Sequence, residues 1–181
     1  YSKGNNKEIN NCLKQSFNFV WLLGIPMVFG VMAIASKFVP WYYGEGFEPV
    51  ISVLIITSPI MLSIGLNNIT GLQYLIQVGE EKTFTKSVII GAVLNIIFNY
   101  VLIKWMGAAG AAISSVIAET AILFVQIKYV KDKIDIKEMF TLSWKCWISG
   151  IVMFVCVLGL SNILGVSILN TMIEVAVGGI I

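Results

Sequence analysis

Histidine and arginine are both missing from this 181-residue sequence, whose twelve basic residues are all lysine. Without histidine there is no Ser/His/Asp or Cys/His nucleophile system and no imidazole-ligated metal. The expectation is therefore neither an enzyme nor a metal protein, and no cofactor is implied. Charge of either sign is scarce. Only 12% of residues carry one, against about a quarter in a soluble domain, and a net charge of +2 is too small to argue for a nucleic-acid partner. Cysteine is limited to Cys12, Cys146 and Cys156, without CxxC spacing and near or within apolar segments. They read as free, buried or reduced thiols rather than a disulfide framework. The chain also lacks an initiator methionine and a basic leader, opening on Tyr1 and ending at Ile181 inside an apolar run, so it reads as a piece of a longer protein.

What the sequence has in abundance is apolar surface: 57% of residues are apolar and mean hydropathy is +0.88. Runs of bilayer-spanning length follow one another with short polar breaks, so lipid must be the solvent for most of the surface. A membrane barrel would show alternating segments of about ten residues, whereas these are solid runs of Ile, Val, Leu and Phe, so helices are expected. The fold class is thus an all-α polytopic membrane protein with about six spans. Four fall at 17–40, 50–78, 87–103 and 108–127, the last two forming a tight hairpin at Gly107. After a polar stretch at 131–143, read as a solvated loop or interfacial helix, two more share 144–181, with their boundary near Ser161-Asn162.

Lysine placement orients the chain, because positive charge stays on the cytoplasmic side. With the N-terminal end inside, ten lysines fall inside and only Lys37 and Lys104 outside. The girdle Trp41-Tyr42-Tyr43 then marks the outer interface, where Trp and Tyr are favoured.

The informative positions are polar residues within the spans, since each must hydrogen-bond to something other than lipid. In the second span Ser63, Asn67, Thr70, Tyr74 and Gln77 recur at steps of four and three, which in an α-helix is one face. It lies in the inner half, so it is a candidate wall for a wet cavity open toward the cytoplasm. The third span carries Ser87, Gly91, Asn95 and Asn99, and the fourth Ala111, Ser115, Glu119 and Gln126. Small residues of this kind glue helices together in any bundle. The amides and phenol of Asn67, Tyr74, Gln77, Asn95 and Asn99 also have the donor and acceptor sets that sugar hydroxyls or phosphates require. Glu119, near mid-span, is either a proton or cation coupling site or a protonated carboxyl satisfied by Asn95 or Asn99. Glu174 is the other intramembrane carboxylate. Pro26 and Pro59 lie inside spans, each removing a backbone donor, and are candidate hinges.

Taken in order, these features are familiar. Gly24-Ile25-Pro26 precedes the turn Tyr43-Gly44-Glu45-Gly46-Phe47-Glu48-Pro49. A long span follows with Asn67-Asn68 and the tail Leu75-Ile76-Gln77-Val78-Gly79-Glu80-Glu81-Lys82, then Asn95, Asn99 and the hairpin Gly107-Ala108-Ala109-Gly110-Ala111-Ala112. The stretch 17–126 resembles the C-terminal half of the polysaccharide-transporter (Wzx-type) branch of the multidrug/oligosaccharidyl-lipid/polysaccharide exporter superfamily. The resemblance implies a multi-pass flippase of the bacterial cytoplasmic membrane, built from two six-helix lobes, often with two further helices, around a central cavity. Such proteins move a polyprenyl-diphosphate-linked oligosaccharide, the repeat unit of an O-antigen or capsule, to the outer leaflet, with H⁺ or Na⁺ as the candidate coupling ion. On this reading 1–130 is part of the C-terminal lobe, 131–143 a cytoplasmic loop and 144–181 two additional spans, while the N-terminal lobe of the same polypeptide lies outside the chain.

One departure stands out. Many flippases of anionic lipid-linked substrates line the cavity with Arg or Lys, and no such residue lies deep in these spans. Either the rest of the polypeptide supplies the positive charge, or the diphosphate stays near the lysine-rich inner interface. Two alternatives are weighed beside the flippase. A cation-coupled drug antiporter of the same superfamily would use Glu119 for its ion, but the amide-rich stripes lean toward sugars. A membrane-embedded glycan polymerase or glycosyltransferase would need a catalytic carboxylate near a sizeable loop. The only candidates there, Asp132, Asp135 and Glu138, stand among lysines as a solvated surface would.

Overall fold

The computed structural model describes residues 6–141 and 143–163. All regular structure among them is helical. Helix α1 (Asn6–Tyr43) runs unbroken through Pro26, so no break marks the hinge expected there. The second span does break at its proline: α2 (Glu48–Thr57) and α3 (Ile60–Asn67) are separated at Ser58-Pro59. The chain then continues as a π-helix over Asn68–Ile76. A glycine-dependent stop ends it. Gly79 sits at φ +79°, with Glu80 N–H donating to Leu75 O at 2.8 Å and Gly79 N–H to Ile76 O at 3.1 Å. That pair of bonds is a Schellman cap, which only a residue tolerating positive φ completes cheaply.

Helices α4 (Glu81–Met106) and α5 (Ala108–Val130) form the expected hairpin, turning at Gly107. They approach too closely for side chains at two points. A Cβ on Gly110 would collide with the backbone of Leu102, and one on Gly91 would collide with Ile122. The short α6 (Ile136–Thr141) leads into α7 (Ser143–Ile163). Four helical segments are long and apolar enough to cross a membrane, Glu8–Tyr43, Glu48–Ile76, Glu81–Met106 and Ala108–Val130, and Ser143–Gly159 is a shorter apolar helix. The four match the first four expected spans, and the shorter helix lies where the fifth is expected. The sixth, at 164–181, lies outside the described residues, as does Glu174.

The core follows from the α1 pattern. Leu13, Phe17, Trp21, Ile25 and Val28 recur at steps of four and three, and all are buried. They pack against Leu62, Leu66 and Ile69 of the broken second span and against Val130, Ile134 and Ile136. The last two residues belong to the stretch read as a solvated loop or an interfacial helix. Its charged residues Asp132, Lys133, Asp135 and Glu138 are exposed, while its apolar ones fold back as a plug: Ile134 and Ile136 are buried, and the Phe140 ring meets Trp21 edge-on with centroids 5.2 Å apart. Lys14 pairs with Glu138 at the rim. Higher up, α7 packs on α1 through Phe29 between Trp147 and Phe154, at 5.9 and 5.6 Å. The three cysteines are free, as expected, but Cys12 and Cys156 are exposed rather than buried.

Candidate functional site

The polar face expected on the second span does not survive as one face. Asn67, at the end of α3, turns toward α5, where its Nδ2 donates to Glu119 Oε2 at 2.8 Å. The partner of Glu119 is thus Asn67, not Asn95 or Asn99. Thr70 is fully buried, its hydroxyl 2.9 Å from Leu66 O and 2.5 Å from Gln126 Oε1. Gln126 Nε2 in turn donates to Ser87 Oγ at 3.0 Å, and Ser87 donates to Phe84 O at 2.7 Å. Tyr74 is buried in the α1 core. Gln77 alone of the five remains exposed.

The stripe on the third span is likewise consumed between helices. Asn99 Nδ2 donates to Asn95 Oδ1 at 2.5 Å, and Ser114 Oγ donates to Asn99 Oδ1 at 2.7 Å or to Ala111 O at 2.8 Å. Ser87, Ser114, Thr70 and Gln126 are all nearly inaccessible. In hydrocarbon each of these groups needs a partner, and α5 supplies it from both sides. Two buried polar atoms have no partner among the described residues: Asn67 Oδ1, beside Glu119, and Trp21 Nε1.

Exposed amides lie elsewhere, set in mainly apolar walls on the other side of the π-helix. A cavity of about 500 Å³ is lined by Gln15, Ser16, Phe19, Val20, Gly65, Asn68, Ile69 and Gln73. A second, of about 480 Å³, is lined by Glu8, Ile9, Cys12, Leu13, Gln73 and Gln77. The two share Gln73 and form one groove between α1 and the second span. Asn68 and Gln73 are five residues apart. In an α-helix they would point about 140° apart, but the i→i+5 bonding of a π-helix stacks such residues. A single-face argument built on α spacing misses this. Asn68 and Gln73 carried no α-periodic signal, and Gln15 fell just before the first span.

The two sides of the molecule differ in chemistry. Helix α4 shows its surroundings Ile89, Val93, Ile96, Ile97 and Tyr100, all exposed and all but one wholly apolar. Such a surface suits lipid or another apolar face. The groove instead shows amides, which are costly in hydrocarbon and suit a wet or protein-covered face. At the lysine-rich end, Lys133 Nζ lies 3.4 Å from Glu80 Oε1 and 4.0 Å from the Tyr129 ring centroid. Hydrogen bonding with Tyr129, aided by Lys133 against some loss of hydration, holds the Glu80 carboxyl below its usual range. Tyr129 and Glu80 likewise push Lys133 up.

Stacked apolar spans with polar groups paired off in their interior define a multi-pass helical membrane protein. The chain belongs to the family described as lipid II flippase MurJ, whose model matches residues 1–176. It is 27% identical over 179 residues to the Probable low-salt glycan biosynthesis flippase Agl15 of Haloferax volcanii, covering 98% of this chain and 37% of that one. It is 28% identical over 134 residues to the Lipid II flippase MurJ of Bacillus subtilis, covering 71% of this chain and 24% of that one. The chain therefore spans less than two fifths of the length of these curated relatives. No solved structure matches it. The resemblance to flippases of lipid-linked glycans, read from the residues, is borne out by the family.

Proposed function

We propose that the protein containing this chain is a transporter, not an enzyme, that flips a lipid-linked oligosaccharide across the bacterial cytoplasmic membrane by alternating access. The observation that carries the reading is the match of nearly the whole chain to the lipid II flippase MurJ family, with relatives named as flippases. The lysine-rich end, where α1 begins and α5 ends, is then cytoplasmic, following the ten-to-two lysine bias. Residues 1–130 form part of the C-terminal lobe, 131–143 a cytoplasmic segment and 144–181 two added spans, with the N-terminal lobe elsewhere in the polypeptide.

Within this reading Asn67, Thr70, Tyr74, Asn95 and Asn99 position the helices that bound the cavity, and Gln77 faces it. Glu119 is the coupling carboxylate for H⁺ or Na⁺. Protonation would turn it from acceptor into donor, and Asn67, whose Oδ1 is unspent, answers by rotating its amide. Pro59, at the α2–α3 break, is the better placed hinge, and Pro26 softens α1 without breaking it.

The test uses the full-length protein in cells lacking any other flippase for their surface glycan. Restored glycan display, reduced severalfold by Glu119→Gln with protein level unchanged, is the expected result. Failure to restore display, together with efflux of organic cations, would replace this reading with the drug antiporter.

A further inference from the structure

The groove between α1 and the π-helix has chemistry that the interior network lacks. Gln15, Asn68, Gln73 and Gln77 are all exposed. None makes a side-chain hydrogen bond among the described residues, while the polar groups facing α5 are nearly all spent. Each amide offers two N–H donors and a carbonyl acceptor. Together they offer donors and acceptors along two cavities that meet at Gln73. Among the described residues no lysine lines either cavity. Such a lining suits a neutral polyol, which donates and accepts in equal measure.

The walls fit the same ligand. Phe19, Val20, Ile69 and Leu13 supply apolar surface between the amides, and sugar rings present C–H faces between their hydroxyls. The volumes, about 500 and 480 Å³, fall within the range of small-molecule sites. The π-helix makes the array possible, since it alone aligns Asn68 with Gln73.

We infer that this groove is a binding site for the uncharged sugar residues of the transported glycan, separate from whatever holds its diphosphate. The inference rests on the flippase reading and adds which part of the substrate this chain contacts. Cys12, exposed on the lining of the second cavity, provides a native reporter.

The test labels the full-length protein in inside-out membrane vesicles with a membrane-impermeant maleimide, using Cys12→Ser as the blank and Gln73→Cys as a second reporter. The probes are a short-chain prenyl-diphosphate disaccharide and the same prenyl diphosphate without sugar. The disaccharide should slow labelling at both positions severalfold and the bare diphosphate should not. Asn68→Ala combined with Gln15→Ala should abolish the protection while leaving labelling itself intact. Three results would overturn the site: equal protection by the bare diphosphate, no protection by either probe, or no labelling at all, which would mean that the rest of the polypeptide covers the groove. Each of these leaves the flippase reading standing if the vesicles still translocate the disaccharide lipid. Absence of translocation by the wild type overturns the flippase reading itself, whatever the labelling.

Discussion

The α4–α5 hairpin and the α1–π groove are built from similar residues and end in opposite states. Both regions carry amides, hydroxyls and glycine within apolar helices. In the hairpin the helices touch at Gly91 and Gly110, and every amide and hydroxyl within reach is paired across the contact or bonded to its own helix. Beside the groove α1 also meets the second span closely, at Val20 against Gly65, yet four amides there make no side-chain hydrogen bond among the described residues. What separates the two is backbone register rather than composition. The α periodicity of α4 and α5 brings polar groups into one seam, while the π-helix swings Asn68 and Gln73 away from it.

If the hairpin is a seam held by close approach, the largest effect comes from filling it. Gly110→Val places a branched side chain against the Leu102 backbone, which cannot yield as a flexible side chain would. Overpacking of this kind costs on the order of 3 kcal/mol or more, and monodisperse protein recovered in detergent should collapse on size exclusion. A Gln73→Leu change, adding apolar bulk to the groove, should leave recovery near wild type. Recovery unaffected by Gly110→Val would mean that the seam opens freely.

A smaller effect tests the paired network. Gln126→Leu leaves Thr70 and Ser87 with their bonds to Leu66 O and Phe84 O, so the loss should be about 1 kcal/mol, in line with interhelical hydrogen bonds in bilayers. A double-mutant cycle with Thr70→Val should return a coupling of about 0.6 to 1.7 kcal/mol in thermal or denaturant unfolding. Zero coupling would mean that packing alone holds these helices. Smaller still, Asn68→Ala and Gln73→Ala should each stay within about 0.5 kcal/mol of wild type, the range for exposed positions. A larger loss in either would show that the groove amides are structural after all.

The weakest term is the tie from Glu80 to Lys133 and Tyr129, exposed at the lysine-rich end. Glu80 is held below its ordinary pKa, so its contribution is present above that ordinary value and is lost as pH falls through the depressed one. Lys133 is raised, so its contribution is present below the ordinary lysine value and lost only as pH rises through the elevated one. The tie is therefore constant between the two ranges. Amide hydrogen exchange at 131–135 should be flat from about pH 6 to 9 once corrected for intrinsic rates, and it should rise with Lys133→Met. A step near neutrality would require another group.

Much of this architecture was legible in the residues because spanning a bilayer demands length and apolarity, and both are plain in a sequence. The four spans and the Gly107 hairpin followed from that, whereas the partner of Glu119 did not: it is Asn67, and Asn95 and Asn99 pair with each other. The π register was not legible, because no residue type specifies an i→i+5 bond. Thr70 and Tyr74 were accordingly placed on a cavity face when they pack inward, and Asn68 and Gln73 were passed over. The 131–141 plug was hidden for a different reason. Its few apolar residues, Ile134, Ile136 and Phe140, stand among charges and look solvated until α1 is seen to offer Phe17 and Trp21 a partner.

That plug also sets a schedule. The hairpin closes between neighbours in the chain, whereas Trp21 must wait for Phe140, more than a hundred residues later. At ordinary synthesis rates of about 5–20 residues per second, the part of Phe17 and Trp21 that Phe140 covers waits roughly 6 to 25 seconds for its partner, although the second span reaches the rest of the stripe sooner.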